Sequence, residues 1–143
     1  MSGEGAKPKA IVELVKDYLF RVTFPGSTTN LIMGELPPLG EFKGPNASRV
    51  LSAAVANCLS ASLAFCLRKS KVELQGIRAE AEPILERNKE GYWRITKINV
   101  RIKPTIAETV DQNRIRRCPD IFEYCVATGA VREGIQVDVH VDA

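Results

Sequence analysis

The amino-acid sequence predicts an α+β fold, a mainly antiparallel sheet wrapped around one long central helix. Strand-like segments near 10–36 and again near 73–103 follow one another through turn residues, as antiparallel neighbours do. Between them lies an apolar run, 50–67, too long for a strand and suited to a helix. Hairpins on either side of one helix place the chain in the α+β class. At 143 residues it is expected to form a single domain, 1–143, with a sizeable core.

Residues 10–15 read weakly as a first strand. Tyr18, Phe20, Val22 and Phe24 then alternate with Leu19, Arg21 and Thr23, the period of a half-buried strand. Pro25-Gly26-Ser27 turns the chain, 31–36 is a third strand, and Pro37, Pro38, Gly40, Gly44 and Pro45 mark a loop. Asn46 is a natural N-cap for a helix running to about Lys69, with Lys69 and Lys71 at its negative end. A membrane span needs roughly 17–25 apolar residues. Ser52, Asn57, Ser60 and Ser62 interrupt this run, so it reads as a helix buried on all sides inside a soluble protein.

A strand near 73–87 follows, then the turn Asn88-Lys89-Glu90-Gly91 and a return strand over 92–103. The apolar phase of the return strand slips by one, from Trp93 and Ile95 to Ile98, Val100 and Ile102, which calls for a bulge or a change of buried face. Residues 106–117 suggest a short helix. Cys118-Pro119 begins another, with proline at its first position and Gly129 to close it. Ile135, Val137, Val139 and Val141 alternate with Gln136, Asp138, His140 and Asp142, the clearest strand pattern in the chain.

Apolar residues make up 45% and charged residues 26%, an ordinary globular balance. A net charge of +3 is too small to argue for a polyanion partner. The first nine residues are polar and carry no secretory signal, so a cytoplasmic location is expected. Four cysteines in a chain of this length are not a disulfide scaffold. Without a CxxC or a histidine pair, no metal site and no cofactor are expected.

Cys58 and Cys66 lie eight residues apart in one helix, about 12 Å at 1.5 Å per residue. A disulfide needs Cα atoms within about 7 Å. Cys118 and Cys125, seven apart, fail in the same way if their segment is helical. Any bridge must therefore join the long helix to the later segment. Cys118 has a local reason to be reactive, because a helix N-terminus and the neighbouring Arg116 and Arg117 stabilise a thiolate, against Asp120. Cys58 sits mid-helix among small apolar residues, and Cys66 and Cys125 read as ordinary core residues.

A Gly-Pro loop leads into an Ala-rich helix with a mid-helix cysteine; a hairpin, a Cys-Pro helix start and an alternating strand follow. The stretches GPNASRVLSAAVANCLSASLAF (44–65), RCPDIFEYC (117–125) and GIQVDVHV (134–141) carry the pattern. In this the chain resembles the OsmC/Ohr family of peroxide-handling proteins, from about residue 10 to the end. The resemblance implies an intertwined homodimer with the site at its interface. It also implies that Cys58 is a peroxidatic thiolate that attacks an organic hydroperoxide, and that Cys118 resolves the sulfenic acid as a Cys58–Cys118 disulfide. A small dithiol or another thiol reductant would restore the pair.

Family members that act as peroxidases usually carry a Glu nine or ten residues before the helix cysteine, holding an Arg from an N-terminal loop. Those positions are Arg49 and Ser48 here, and no Gly-Arg loop motif is present. Arg21, in a strand, is a distant candidate for the missing cation. Arg49 opposes the helix dipole by roughly 0.3–1 kcal/mol, and Glu41 is a candidate partner for it.

Other features are less specific. His140 falls on the polar phase of the last strand. Arg114, Arg116 and Arg117, and Arg68, Lys69 and Lys71, read as solvated helix ends. Three functions are therefore in view: a thiol peroxidase reducing organic hydroperoxides, a non-catalytic dimer binding a small hydrophobic or thiol-bearing ligand, and a basic nucleic-acid-binding module.

Overall fold

A computed structural model describes residues 8–142, which fall into two compact units, one up to Val50 and one from Leu51, and five strands and three α-helices lie among the described residues. The α+β class follows directly: both sheets are antiparallel and one helix is long.

The first unit is a three-stranded meander, β1 (Ile11–Lys16), β2 (Leu19–Thr23) and β3 (Asn30–Met33). Val12 faces Val22, and Val22 faces Leu31, so apolar positions stack across the sheet. Asp17, in the left-handed region, turns β1 into β2. Val22 is buried, whereas every residue of β1 is exposed, including Ile11, Val12, Leu14 and Val15. The loop after β3 folds back on the sheet: the Gly34 N–H donates to the Pro45 carbonyl at 3.1 Å. Gly44 permits that approach, because a Cβ there would collide with the Ile32 carbonyl.

Helix α1 (Ala47–Lys69) starts where the sequence places its cap, with Asn46 Oδ1 accepting from the Arg49 N–H at 3.2 Å. In the second unit α1 lies along a long hairpin, β4 (Leu74–Arg87) and β5 (Trp93–Ile106). Asn88 closes that hairpin by accepting from the Glu90 and Tyr92 N–H groups at 3.1 and 2.9 Å. The expected slip in β5 is a bulge: Ile84 pairs with Lys97 and Leu85 with Ile95, leaving Thr96 unpaired in the register.

The core is a strip between α1 and the hairpin. Leu63, Leu67, Val72 and Cys118 form one cluster, against which Leu74, Ile102 and Ile106 pack. Val55, Leu59 and Cys125 form a second, with Ile98 and Val100 beside it. Phe122 packs against both. Leu67 is fully buried, so Leu67→Ala is expected to cost about 2–5 kcal/mol. Urea unfolding checks this, and a loss under 1 kcal/mol would mean that the strip is not the core.

Three expectations change. The helix is not buried on all sides. Its buried residues, Ser52, Val55, Ala56, Leu59, Leu63 and Leu67, form one stripe, because one layer of hairpin covers one face, and Phe65 on another face stays exposed. By length and composition alone α1 also passes as a membrane span. The helix expected from Cys118 to Gly129 is instead a 3₁₀ segment (Cys118–Tyr124) followed by α3 (Val126–Glu133), after a short α2 (Gln112–Arg116). Gly129 lies inside α3, and Gly134, at positive φ, ends it. The strand expected over 135–141 does not form. Alternation becomes a strand only against a partner edge, and among the described residues none pairs with this segment, whose Val137 and Val139 are more than three-quarters exposed.

Candidate functional site

Cys58, Ser62 and Cys66 sit at i, i+4 and i+8 of α1 and so share one face of the helix. Opposite them runs the 3₁₀ segment, which begins at Cys118 and delivers Cys125 as the residue before α3. Cys66 and Cys118 are joined in a disulfide with Cα atoms 5.7 Å apart, beside Leu63 and Leu67 in the core. Cys58 and Cys125 are free thiols, the first half-buried and the second buried.

The two segments run antiparallel, and their lengths match. Eight residues of α-helix span about 12 Å. Seven residues of mainly 3₁₀ backbone span roughly 14 Å at about 2 Å each. Tying Cys66 to Cys118 at one end therefore brings Cys125 to Cys58 at the other. The Ser62 hydroxyl, one turn from each helix cysteine, donates to Cys125 Sγ at 3.5 Å. The Cys58 side chain lies close enough to the same sulfur to help hold its pKa down.

Burial pushes the Cys125 thiol up. The neighbouring Cys58, then Ser62 and Thr128, outweigh it and hold the group below its ordinary value. The cysteines thus form two rungs: one oxidised, one a pair of free thiols.

This arrangement corrects the expected pairing. Cys118 is not brought to Cys58, because its sulfur is bonded to Cys66, two helical turns further along α1. The bridge does join the long helix to the later segment, as the helical spacing requires. The proposed activation of Cys118 at a helix N-terminus also lapses, since a disulfide sulfur has no thiolate to stabilise.

The supporting candidates all belong to the first unit. Ser48 is half-buried in the first turn of α1. The Arg49 guanidinium stacks over the Phe42 ring at 4.4 Å, while Glu41 pairs with Lys43 at 3.0 Å. Arg21 is exposed on β2, in register with Glu13 and Ile32. His140 is exposed and lies 3.2 Å from the Asp142 carboxylate. Among the described residues no group of His, Cys, Asp and Glu could hold a metal ion.

Sequence reasoning missed Cys125 and Ser62. Cys125 carries no motif, and the Cys-Pro signature drew attention to its neighbour. The available signal was the near-equal spacing of 58 to 66 and 118 to 125 on segments already inferred to meet.

A groove of about 590 Å³ opens between α1, β5, the 3₁₀ segment and α3, lined by side chains that neighbour the free thiol pair. Val55 and Leu59 both line it and pack around Cys125. Leu51, Ile98, Val100 and Phe122 make most of the remaining wall apolar.

A family profile described as OsmC-like protein matches residues 40–140. Solved structures share the fold at low identity. An OsmC-like protein of unknown function from Vibrio cholerae is 17% identical, with a TM-score of 0.76, covering 87% of this chain and 93% of that one. An OsmC-like protein from Mycoplasma pneumoniae is 15% identical at a TM-score of 0.74, with 90% and 89% covered. An organic hydroperoxide resistance protein OsmC from Legionella pneumophila is 19% identical at 0.62, with 89% and 91% covered. A search of curated proteins returned no match.

Proposed function

Because the chain belongs to the OsmC-like family, we propose that it is a thiol-dependent peroxidase that reduces organic hydroperoxides through Cys58. The observation that carries this reading is the free, half-buried Cys58 next to a second free thiol, close to an apolar groove. The Cys58 thiolate attacks the peroxide oxygen, the O–O bond breaks, and an alcohol leaves. The sulfenic acid then closes as a disulfide with a cysteine of the later segment, and a small dithiol or another thiol restores both groups. The groove suits the hydrocarbon tail of a fatty-acid hydroperoxide rather than hydrogen peroxide.

The working unit is a homodimer. Supporting this are apolar surfaces that one chain leaves open: all of β1, Phe65 on α1, and the 135–141 segment, which pairs with no strand among the described residues and offers an edge that a second copy would pair. We place it in the cytoplasm, where small thiol reductants are held reduced.

The test is consumption of linoleic acid hydroperoxide with a dithiol present, followed by intact mass. Turnover with loss of two hydrogens from the protein in the oxidised step supports the reading. An unchanged mass with no peroxide consumed, but retained binding of an apolar probe, would favour the alternative of a non-catalytic dimer that binds a small hydrophobic or thiol-bearing ligand in the same groove.

A further inference from the structure

We infer that Cys125, and not the cysteine of the Cys-Pro motif, is the resolving thiol of this protein. The inference rests on the peroxidase reading and names the second residue of that reaction. Cys118 is bonded to Cys66, so it cannot attack a sulfenate on Cys58 without first losing that bond. Cys125 is free, faces Cys58 across the same pair of segments, and is held there by Ser62 at 3.5 Å.

Exposure divides the labour between the two free thiols. Cys58 is half-buried and reachable, and Cys125 is only 3% exposed, behind Val55 and Leu59. A bulky hydroperoxide reaches the first and not the second. A buried thiol is suited to attack a sulfur atom already beside it, because it needs no approach from solvent.

The steps balance. Cys58 loses its thiol proton to solvent as it attacks the peroxide. The O–O bond breaks, oxygen goes to Cys58 as sulfenic acid, and the alkoxide takes a proton from solvent and leaves as alcohol. Cys125 sulfur then attacks Cys58 sulfur. The S–S bond forms, the S–O bond breaks, and hydroxide leaves with the Cys125 proton as water. Two thiols and one hydroperoxide give one disulfide, one alcohol and one water. An external dithiol reduces the disulfide and is itself oxidised.

The experiment is one equivalent of linoleic acid hydroperoxide, an N-ethylmaleimide quench and non-reducing peptide mapping with chymotrypsin. Trypsin is unsuitable, because no Lys or Arg separates Cys58 from Cys66 or Cys118 from Cys125. Chymotrypsin cuts between both pairs, at Leu59 to Phe65 and at Phe122 to Tyr124.

A new Cys58–Cys125 linked peptide, with Cys66–Cys118 unchanged, is the expected result. In Cys125→Ser the Cys58 sulfenic acid should accumulate at least tenfold, as its dimedone adduct. A Cys58–Cys118 peptide in the native chain overturns this assignment and leaves the peroxidase reading standing. Failure of Cys58 to oxidise at all overturns both. The native-chain map decides the matter even where the variant does not fold.

Discussion

Cys58→Ser is expected to lower hydroperoxide turnover by a factor of roughly 10³ or more while leaving the unfolding midpoint nearly unchanged. The size follows from the chemistry. A serine hydroxyl is not ionised near neutral pH and does not accept oxygen from a peroxide, so no sulfenate forms and no disulfide can follow. The structural cost is small because the sulfur is only half-buried and a hydroxyl occupies the same place with less bulk. Serine also keeps a hydroxyl donor at the position next to Cys125. Turnover is measured as hydroperoxide loss under excess dithiol, with circular dichroism and urea unfolding on the same samples. Turnover within tenfold of the native chain would remove Cys58 from the reaction. A folded but inactive variant separates a chemical role from a packing one.

Much of this arrangement was legible in the amino-acid order. The cap at Asn46, the hairpin turn at Asn88 and the slip in β5 were all visible, since each depends on local chemistry. The meeting of the long helix with the 118–125 segment followed from helical rise and the reach of a disulfide. What failed depended on partners outside the local pattern. The alternation of 135–141 specifies a strand but not what it pairs with, and within one chain it pairs with nothing among the described residues. The all-apolar helix suggested full burial, yet one hairpin covers one stripe. The cysteine register failed for a related reason. Spacing shows which cysteines cannot pair within a segment, but not which way the two segments slide. The Cys-Pro motif supplied a choice, and the packing of Leu63 and Leu67 around Cys118 made a different one.

Breaking the Cys66–Cys118 bond is expected to cost about 4 kcal/mol of stability, from the loop-closure entropy of a bridge across 52 residues. The bridged loop contains the whole β4–β5 hairpin and α2, so the unfolded chain gains much freedom when it opens. In the folded state little replaces it. The 3₁₀ segment is held to α1 mainly by Cys118 and Phe122 at one end and by Cys125 at the other. Urea unfolding of the oxidised chain, the reduced chain and Cys66→Ser should show the last two close together and both well below the first. Equal midpoints for all three would mean that the bridge constrains nothing. The same loss should reach the chemistry. With one rung cut, the far end of the segment no longer holds Cys125 at the Ser62 hydroxyl. Closure of the second disulfide then has to wait for the segment to return, whereas the first attack on the peroxide does not. Cys66→Ser should therefore slow disulfide formation in stopped flow without slowing the initial oxidation of Cys58, a split that a purely global loss of structure would not produce.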